Sequence, residues 1–215
     1  MYDFSYHRAG SVADASSKLK AAEDGKLVAG GMTLIPTLKQ RLAQPSDLID
    51  LGGIKDLAGI KADGSGVTIG AMTTHGAVAA SKDVKGAIPA LAHLAGEIGD
   101  PQVRHRGTIG GSIANNDPAA DYPAACIGLG ATIVTSKREI AADDFFKGLF
   151  ETALADDEIV TAVRFPKPKR AAYMKFPNPA SRYALVGVFV AETAKGMRVA
   201  VTGAGQNGVF RVKAM

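Results

Sequence analysis

Two short segments pair a Gly-Gly dipeptide with hydroxyl side chains, and both could bind phosphate groups. The first glycine segment, 28–34, has the sequence VAGGMTL, and the second glycine segment, 108–113, has the sequence TIGGSI. Adjacent glycines let the backbone approach a ligand closely, and N–H groups at the start of a helix bind phosphate oxygens. Thr33, Thr108 and Ser112 could donate further hydrogen bonds. Either segment alone would more often be an ordinary tight turn, but the pair predicts a pyrophosphate site.

Polar residues crowd the chain just after the second glycine segment, at Asn115, Asn116, Asp117 and Asp121. A carboxylate repels a pyrophosphate, so at least one of them should face a hydrogen-bond donor such as a ribose hydroxyl or an adenine amino group. Asp121 could equally cap a helix that starts near Tyr122. The pattern leaves both interpretations open.

Other candidate groups are less informative. Arg104 and Arg106 could lie near phosphate or in solvent. The four histidines are scattered, so His75, His93 and His105 are predicted to be surface residues or hydrogen-bonded core residues. Cys126 lies in an apolar stretch and is predicted to be inert core. No set of nucleophile, base and orienting residue is present, and no catalytic residue is predicted.

A third glycine motif spans 203–208 and matches the spacing G-x-G-x-x-G. A dinucleotide fingerprint of this kind needs a helix directly after it and an acidic residue about twenty positions further on. Seven residues follow Gly208, so the motif is predicted to be a glycine-rich turn.

The composition excludes several classes of protein. The 215 residues carry a net charge of +4 and a single cysteine. One cysteine rules out an intramolecular disulfide, and this chain alone cannot supply the thiolates of a zinc site or an iron–sulfur cluster. The apolar stretches are too short to span a bilayer, no apolar signal-peptide region follows Met1, and the mild charge does not favour nucleic acid.

The spacing of apolar residues predicts alternating short helices and strands. Helices are expected at 11–22, with Ser11 as the N-cap, and at 33–42, 74–80, 87–98 and 122–128. Strands are expected at 26–29 and 47–51, twice within 57–71, as a hairpin over 132–141, and at 158–165. The segment 100–121 has a loop-like composition and is predicted to be a long functional loop.

The stretch 166–168, Pro-Lys-Pro, is predicted to separate a first α/β region from a second region. That second region contains three strand candidates, at 173–176, 185–192 and 198–202. Three strands with one uncovered face make a weak domain. We therefore expect the fold to continue beyond Met215, or a partner to cover the sheet.

At 27–36 (LVAGGMTLIP) and 98–125 (IGDPQVRHRGTIGGSIANNDPAADYPAA) the sequence closely resembles the medium, FAD-binding subunit of molybdenum hydroxylases, a family that includes carbon monoxide dehydrogenase and xanthine dehydrogenase. The resemblance extends to 156–166 and to the segment at Tyr183. It implies an α+β fold, namely a two-part FAD-binding domain of the p-cresol methylhydroxylase and vanillyl-alcohol oxidase type. This domain would cover 1–167, with subdomains at about 1–55 and 56–167, and an incomplete antiparallel-sheet domain would cover 168–215.

The resemblance also implies which residues contact FAD. From the first segment these are Lys26, Leu27, Val28, Ala29, Gly30, Gly31, Met32, Thr33 and Leu34. From the second they are Thr108, Ile109, Gly110, Gly111, Ser112 and Asn115. Elsewhere they are Ile98, Asp121, Val160, Lys175 and Tyr183. Family members often carry His or a small polar residue followed by Ser where this chain has Met32 and Thr33, so the hydroxyl is retained.

The function implied is that of an FAD-carrying electron-transfer subunit. The molybdenum cofactor would sit on a large partner subunit and two 2Fe-2S clusters on a small one, in a dimer of heterotrimers. Electrons would pass from the clusters through FAD to an external acceptor. The location implied is cytoplasmic, with peripheral attachment to the inner face of the membrane as a variant. A self-sufficient FAD-dependent oxidase and an FAD-free scaffold subunit remain as alternatives.

Overall fold

The N-terminal part of the chain forms a small parallel sheet flanked by helices. In this computed structural model, which describes residues 1–213, the strand order of that sheet is β1-β3-β2. Its elements are β1 Ser5–Arg8, α1 Val12–Ala21, β2 Gly25–Val28, α2 Leu34–Lys39 and β3 Asp47–Asp50. Ser11 caps α1 as predicted, because its hydroxyl accepts a hydrogen bond from the Asp14 N–H at 3.1 Å. The strand β1 was not predicted.

A five-stranded antiparallel sheet of order β4-β5-β10-β6-β7 follows. Its strands are β4 Ile60–Ala62, β5 Gly66–Gly70, β6 Thr132–Thr135, β7 Glu139–Ala141 and β10 Val160–Pro166. The central strand β10 alternates between the buried Val163 and Phe165 and the exposed Arg164. This two-residue period is the one that predicted a strand here.

Seven helices occupy the chain between β5 and the hairpin that follows β7. They are α3 His75–Ala80, α4 Lys82–Ala87, α5 Pro89–Gly96, α6 Pro101–Arg106, α7 Ile109–Asn115, α8 Tyr122–Leu129 and α9 Ala142–Phe145. Every residue of α8 is buried, including Cys126. A helix that is apolar on all sides belongs in the interior, and α8 accordingly lies at the centre of the larger hydrophobic core.

A third sheet, of order β11-β12-β13-β14, packs one face against α8. Its strands are β11 Arg170–Pro177, β12 Ala184–Thr193, β13 Gly196–Thr202 and β14 Phe210–Arg211, and a separate hairpin pairs β8 Phe146–Gly148 with β9 Glu151–Thr152. Phe189 of β12 packs so closely on α8 that a Cβ at Gly128 would lie 2.7 Å from its ring. The opposite face carries exposed apolar side chains, among them Met174 and Phe176, so within the described residues one face is uncovered, as predicted.

The predicted long loop over 100–121 is wrong, because that segment contains α6 and α7. Local caps start both helices. The Asp100 carboxylate accepts from the Val103 N–H at 2.8 Å, and the Thr108 hydroxyl accepts from the Gly111 N–H at 3.2 Å. Asn116, in the left-handed conformation (φ 45°), ends α7. Glycine lowers helix propensity, so the composition concealed helices that capping and packing stabilise.

The motif at 203–208 is a turn between β13 and β14, as predicted. The domain boundaries near 55 and 167 remain predictions. Among residues 1–213 the longest helix has ten residues, and none could cross a membrane.

Glu158 is a buried carboxylate whose ionised form is held by four hydrogen bonds. Arg138 donates two at 3.0 Å, the Thr135 hydroxyl one at 2.6 Å and the Ala155 N–H one at 3.0 Å. The Arg138 bonds are the largest cause that lowers the pKa of Glu158 to about 2. The stabilisation is therefore fully present above the pKa of the unfolded chain, about 4.5, and is lost as the pH falls towards 2.

We expect Glu158→Gln to lower the free energy of unfolding at pH 7 by about 1–3 kcal/mol, since charged hydrogen bonds are lost. It should also remove much of the decline in stability between pH 4.5 and 2. Chemical denaturation across that pH range measures both effects. Glu139→Gln is the control, because its ion pair with Arg164 is exposed and should contribute little. Equal pH profiles for wild type and Glu158→Gln would contradict the prediction.

Candidate functional site

A cavity of about 490 Å³ lies where the parallel sheet, the second glycine segment and the β11–β12 turn meet. The predicted site residues line it, with three exceptions: Val28, Ile109 and Lys175. Val28 ends β2, and the Ile109 side chain is fully buried in the core. Lys175 lies behind the cavity wall, on Asp121.

The first glycine segment is the turn from β2 into α2. Gly31 has a φ of 73°, a conformation that glycine adopts without strain. Among residues 1–213, no acceptor takes a hydrogen bond from the backbone N–H groups of 30–33. These residues line the cavity, so their N–H groups are available to an anionic ligand, as the sequence predicts.

The second glycine segment behaves differently from its prediction. The N–H groups of 109–112 all donate within the protein, to the carbonyls of Thr73, Ala71 and Thr108 and to the Thr108 hydroxyl. The expectation that this Gly-Gly pair presents free N–H groups to phosphate is therefore wrong. Its polar contribution to the cavity comes instead from side chains, namely the hydroxyls of Thr108 and Ser112 and the amide of Asn115.

The glycines of the two segments serve close packing. A Cβ on Gly30 would lie 2.1 Å from the carbonyl oxygen of Arg106, and one on Gly110 would lie 2.5 Å from the Cβ of Ala71. Contacts under 3 Å are far inside van der Waals distance, so only glycine permits these approaches. The first segment is thereby pressed directly against the backbone that leads into the second.

Asp121 forms a buried polar group in the cavity wall and is 4% exposed. Tyr173 donates its hydroxyl to Asp121 Oδ1 at 2.5 Å, and Lys175 Nζ lies 3.0 Å from the same oxygen. Asp121 makes no side-chain cap to α8, so the capping interpretation is wrong. Burial raises the pKa of Asp121, and the charge of Lys175 and the Tyr173 hydrogen bond oppose that rise.

The third sheet contacts the backbone before Asp121, at Pro118 and Ala120, as well as the Asp121 carboxylate. The Thr202 hydroxyl is 2.7 Å from the Ala120 carbonyl and 3.0 Å from that of Pro118. The Gly203 N–H donates to Pro118 at 2.9 Å. This side of the cavity is therefore fixed by strands from the C-terminal part of the chain.

Tyr183 lies at the mouth of the cavity and is 44% exposed. Burial and the charge of Asp117 raise the pKa of Tyr183, and the side chain of Thr33 in the first glycine segment opposes that rise. Ile98 and Val160 are apolar residues of the cavity lining, and their contact with FAD stays a prediction.

His75 is the clearest site residue that the sequence reasoning missed. It lines the cavity, is 5% exposed, and its Nδ1 has no hydrogen-bond partner among the described residues. Burial and, secondly, Arg104 lower the pKa of His75 to about 4, so the ring is neutral at pH 7. His75 is buried, as one of the two predictions had it, but its ring is not fully hydrogen-bonded, which differs from that prediction. His75 is an isolated histidine at the start of the short helix α3, and no sequence pattern around it predicts that it lines a cavity.

Arg104, a candidate phosphate ligand, has a structural role. Its guanidinium donates to the carbonyls of Ile98 at 3.1 Å and Gly99 at 2.8 Å. Arg104 therefore stabilises the turn after α5, and these bonds occupy its guanidinium. The remaining unpredicted lining residues are mostly apolar: Leu51, Ala71, Met72, Gly99, Val103, Gly107, Ala114, Ala120, Ile159, Ser181 and Arg182.

The described residues contain no cluster of three or more His, Cys, Asp or Glu side chains that could hold a metal ion. Cys126 is buried in α8, and burial raises the pKa of its thiol far above the usual range. The site is therefore suited to binding an extended anionic ligand with apolar and hydrogen-bonding parts, and no part of it resembles a nucleophilic or metal centre.

Comparison with known proteins gives consistent matches. Residues 2–168 match the family described as FAD binding domain in molybdopterin dehydrogenase. The chain is 40% identical to the carbon monoxide dehydrogenase medium chain of Afipia carboxidovorans, over 96% of this chain and 74% of that protein. It is 38% identical to the nicotine 6-hydroxylase medium subunit of Paenarthrobacter nicotinovorans, over 90% of this chain and 70% of that protein.

A solved structure of carbon monoxide dehydrogenase from Hydrogenophaga pseudoflava has the same fold, with a TM-score of 0.92 and 38% identity. The match covers 98% of this chain and 78% of that one. The predicted α+β class is confirmed by this similarity.

We expect Gly30→Ala to lower the free energy of unfolding by about 1–3 kcal/mol, because the added methyl group would overlap the Arg106 carbonyl and force the segments apart. Gly86→Ala, where a Cβ meets nothing within 4 Å, is the matched control and should be neutral or slightly stabilising in its helix. Denaturant unfolding of both variants measures the difference. Equal stability of the two would show that the close contact is unimportant.

Proposed function

The chain belongs to the FAD-binding family of molybdopterin dehydrogenases, and we propose that it holds FAD in the cavity between its two glycine segments and transfers electrons within a molybdenum hydroxylase complex. The observation that carries this proposal is that four successive residues of the cavity lining, 30–33, have backbone N–H groups without an acceptor among residues 1–213. N–H groups at the start of a helix bind phosphate oxygens, and a dinucleotide pyrophosphate is an acceptor of the right charge.

The residues present fit FAD. The N–H groups of the first glycine segment would hold the pyrophosphate, with Thr33, Thr108 and Ser112 adding hydroxyl donors. No carboxylate belongs to either glycine segment. The region that binds FAD is proposed to be 1–167, in two parts of about 1–55 and 56–167, with 168–215 forming a separate antiparallel-sheet domain.

Asp121 and the side chains around it are proposed to bind the parts of FAD that donate hydrogen bonds. An ionised carboxylate only accepts, and Asp121 lies in the wall with Tyr173 and Lys175 behind it. FAD itself supplies one- and two-electron redox chemistry when bound, while the protein contributes binding, orientation and electrostatics. The chain therefore needs no acid or base of its own.

The complex is proposed to place the other cofactors on partner chains. A single cysteine cannot ligate iron–sulfur clusters, and two relatives bear the name of a medium chain or medium subunit. A large subunit would carry the molybdenum cofactor and a small one the 2Fe-2S clusters, in a dimer of heterotrimers. Electrons would leave FAD for an external acceptor, in the cytoplasm or at the inner face of the membrane.

We expect Gly111→Asp to weaken FAD binding by at least about a hundredfold, because like charges placed together cost several kcal/mol. A Cβ at Gly111 would lie 3.0 Å from the Thr108 hydroxyl and 3.6 Å from the Ala29 Cβ. The new carboxylate would therefore fit between the two glycine segments and repel the pyrophosphate. Flavin absorbance of the purified protein and titration of the apoprotein with FAD measure the effect.

Two matched variants separate charge from bulk and from folding. Gly111→Asn has nearly the same shape without the charge and should retain much more FAD than Gly111→Asp. Gly64→Asp places the same carboxylate on an exposed turn, where a Cβ meets nothing within 4 Å, and should bind as wild type. Unchanged flavin content in Gly111→Asp would refute the assignment of this segment.

Purification of the native complex should yield flavin, iron and molybdenum together with two partner chains. Rapid mixing with the complex's substrate should then reduce FAD only when the iron–sulfur chain is present. Reduction of the isolated flavoprotein by an organic substrate would instead favour a self-sufficient oxidase.

A further inference from the structure

Tyr173 contacts the cavity-lining Asp121 from outside the part of the chain that matches the FAD-binding family. That match ends at residue 168, whereas Tyr173 and Lys175 lie on β11. Both side chains are on the face of the sheet turned towards Asp121, because residues two apart on a strand point the same way. The two residues contact its carboxylate from behind.

The hydrogen bonds to Asp121 do not use the full acceptor capacity of its carboxylate. Its oxygens accept from the Tyr173 hydroxyl at 2.5 Å and from Lys175 Nζ at 3.1 Å, while Lys175 also donates to the Glu97 carbonyl at 3.0 Å. Each carboxylate oxygen can accept about two hydrogen bonds. Asp121 lines the cavity, so a ligand there can use the remaining capacity.

We propose that Tyr173 is a positioning residue for the cofactor, orienting the Asp121 carboxylate and keeping it ionised so that it accepts hydrogen bonds from FAD. The inference rests on the proposed function, since it requires FAD in this cavity. Tyr173 itself does not line the cavity, so it acts only through Asp121. A hydrogen bond to the ionised form of a carboxyl favours that form.

Several titratable or charged groups surround Asp121. They are Lys175, Tyr173, Glu97, Tyr122 and Tyr183. Burial raises the pKa of all three tyrosines, so they keep their protons below pH 9. Burial also raises the pKa of Asp121, and loss of the Tyr173 hydroxyl would raise it further.

The sign of the expected pH effect follows from this arrangement. FAD donors prefer the ionised carboxylate, so binding weakens as the pH falls through the pKa of Asp121. In Tyr173→Phe that pKa is higher, so the weakening begins at a higher pH. A variant that merely loosened the packing would weaken FAD binding equally at every pH.

The chain offers a matched control in Tyr122. Its ring is fully buried beside Asp121, and its hydroxyl has no hydrogen-bond partner among residues 1–213. Tyr122→Phe therefore removes a buried hydroxyl from the same neighbourhood without removing a hydrogen bond from Asp121.

The experiment titrates the apo forms of the full chain with FAD between pH 5 and 9, following the quenching of flavin fluorescence, with thermal unfolding as the folding check. At pH 7 we expect Tyr173→Phe to bind FAD about tenfold more weakly than wild type, as loss of one charged hydrogen bond suggests. The loss of FAD affinity in Tyr173→Phe, relative to wild type, should grow towards pH 5 and shrink towards pH 9. Tyr122→Phe should stay within about twofold of wild type throughout, as expected when no hydrogen bond is lost.

Two outcomes overturn this inference and leave the proposed function intact. One is FAD binding by Tyr173→Phe equal to that of wild type at every pH, and the other is a deficit that is constant with pH. Failure of the wild-type chain to bind FAD at any pH would instead refute the proposed function, and the role of Tyr173 with it.

Discussion

The contact between Gly30 and the carbonyl oxygen of Arg106 is the constraint on which the site depends. A Cβ at Gly30 would lie 2.1 Å from that oxygen, so the two backbones meet without any side chain between them. This contact brings the first glycine segment, which ends a strand of the parallel sheet, against the chain that leads into α7. Both segments line the cavity, and the N–H groups of 30–33 have no acceptor within the part of the chain that the structure describes.

The two glycine segments look alike in sequence but differ in physical role. In the first, the N–H groups have no acceptor among the described residues and could bind an anion. In the second, the N–H groups donate hydrogen bonds to Ala71, Thr73 and Thr108. The absence of a side chain at Gly110 lets this segment pack closely against Ala71. The side opposite them is built by the third sheet, through Tyr173, Lys175 and Thr202. The packing of the C-terminal strands therefore fixes part of the cavity wall.

Sequence patterns predicted the features that depend on local chemistry. The cap at Ser11 and the alternating strand β10 follow from side chains close together in the chain. The helices within 100–121 were missed because glycine, asparagine and aspartate have low helix propensity, and capping and packing outweighed that cost here. Sequence also gave no reason to choose between capping and ligand binding for Asp121, because its partner Tyr173 is 52 residues away.

The sequence by itself determined the family, the presence of two glycine segments and the exclusion of clusters and disulfides, because these depend on residue types and short spacings. Tertiary structure alone decided which N–H groups are free, that His75 reaches the cavity, and that Asp121 is held from β11. The physical reason is range. A hydrogen bond or a glycine contact is decided within a few ångströms in space, and the chain brings those atoms together from positions whose separation no local pattern records.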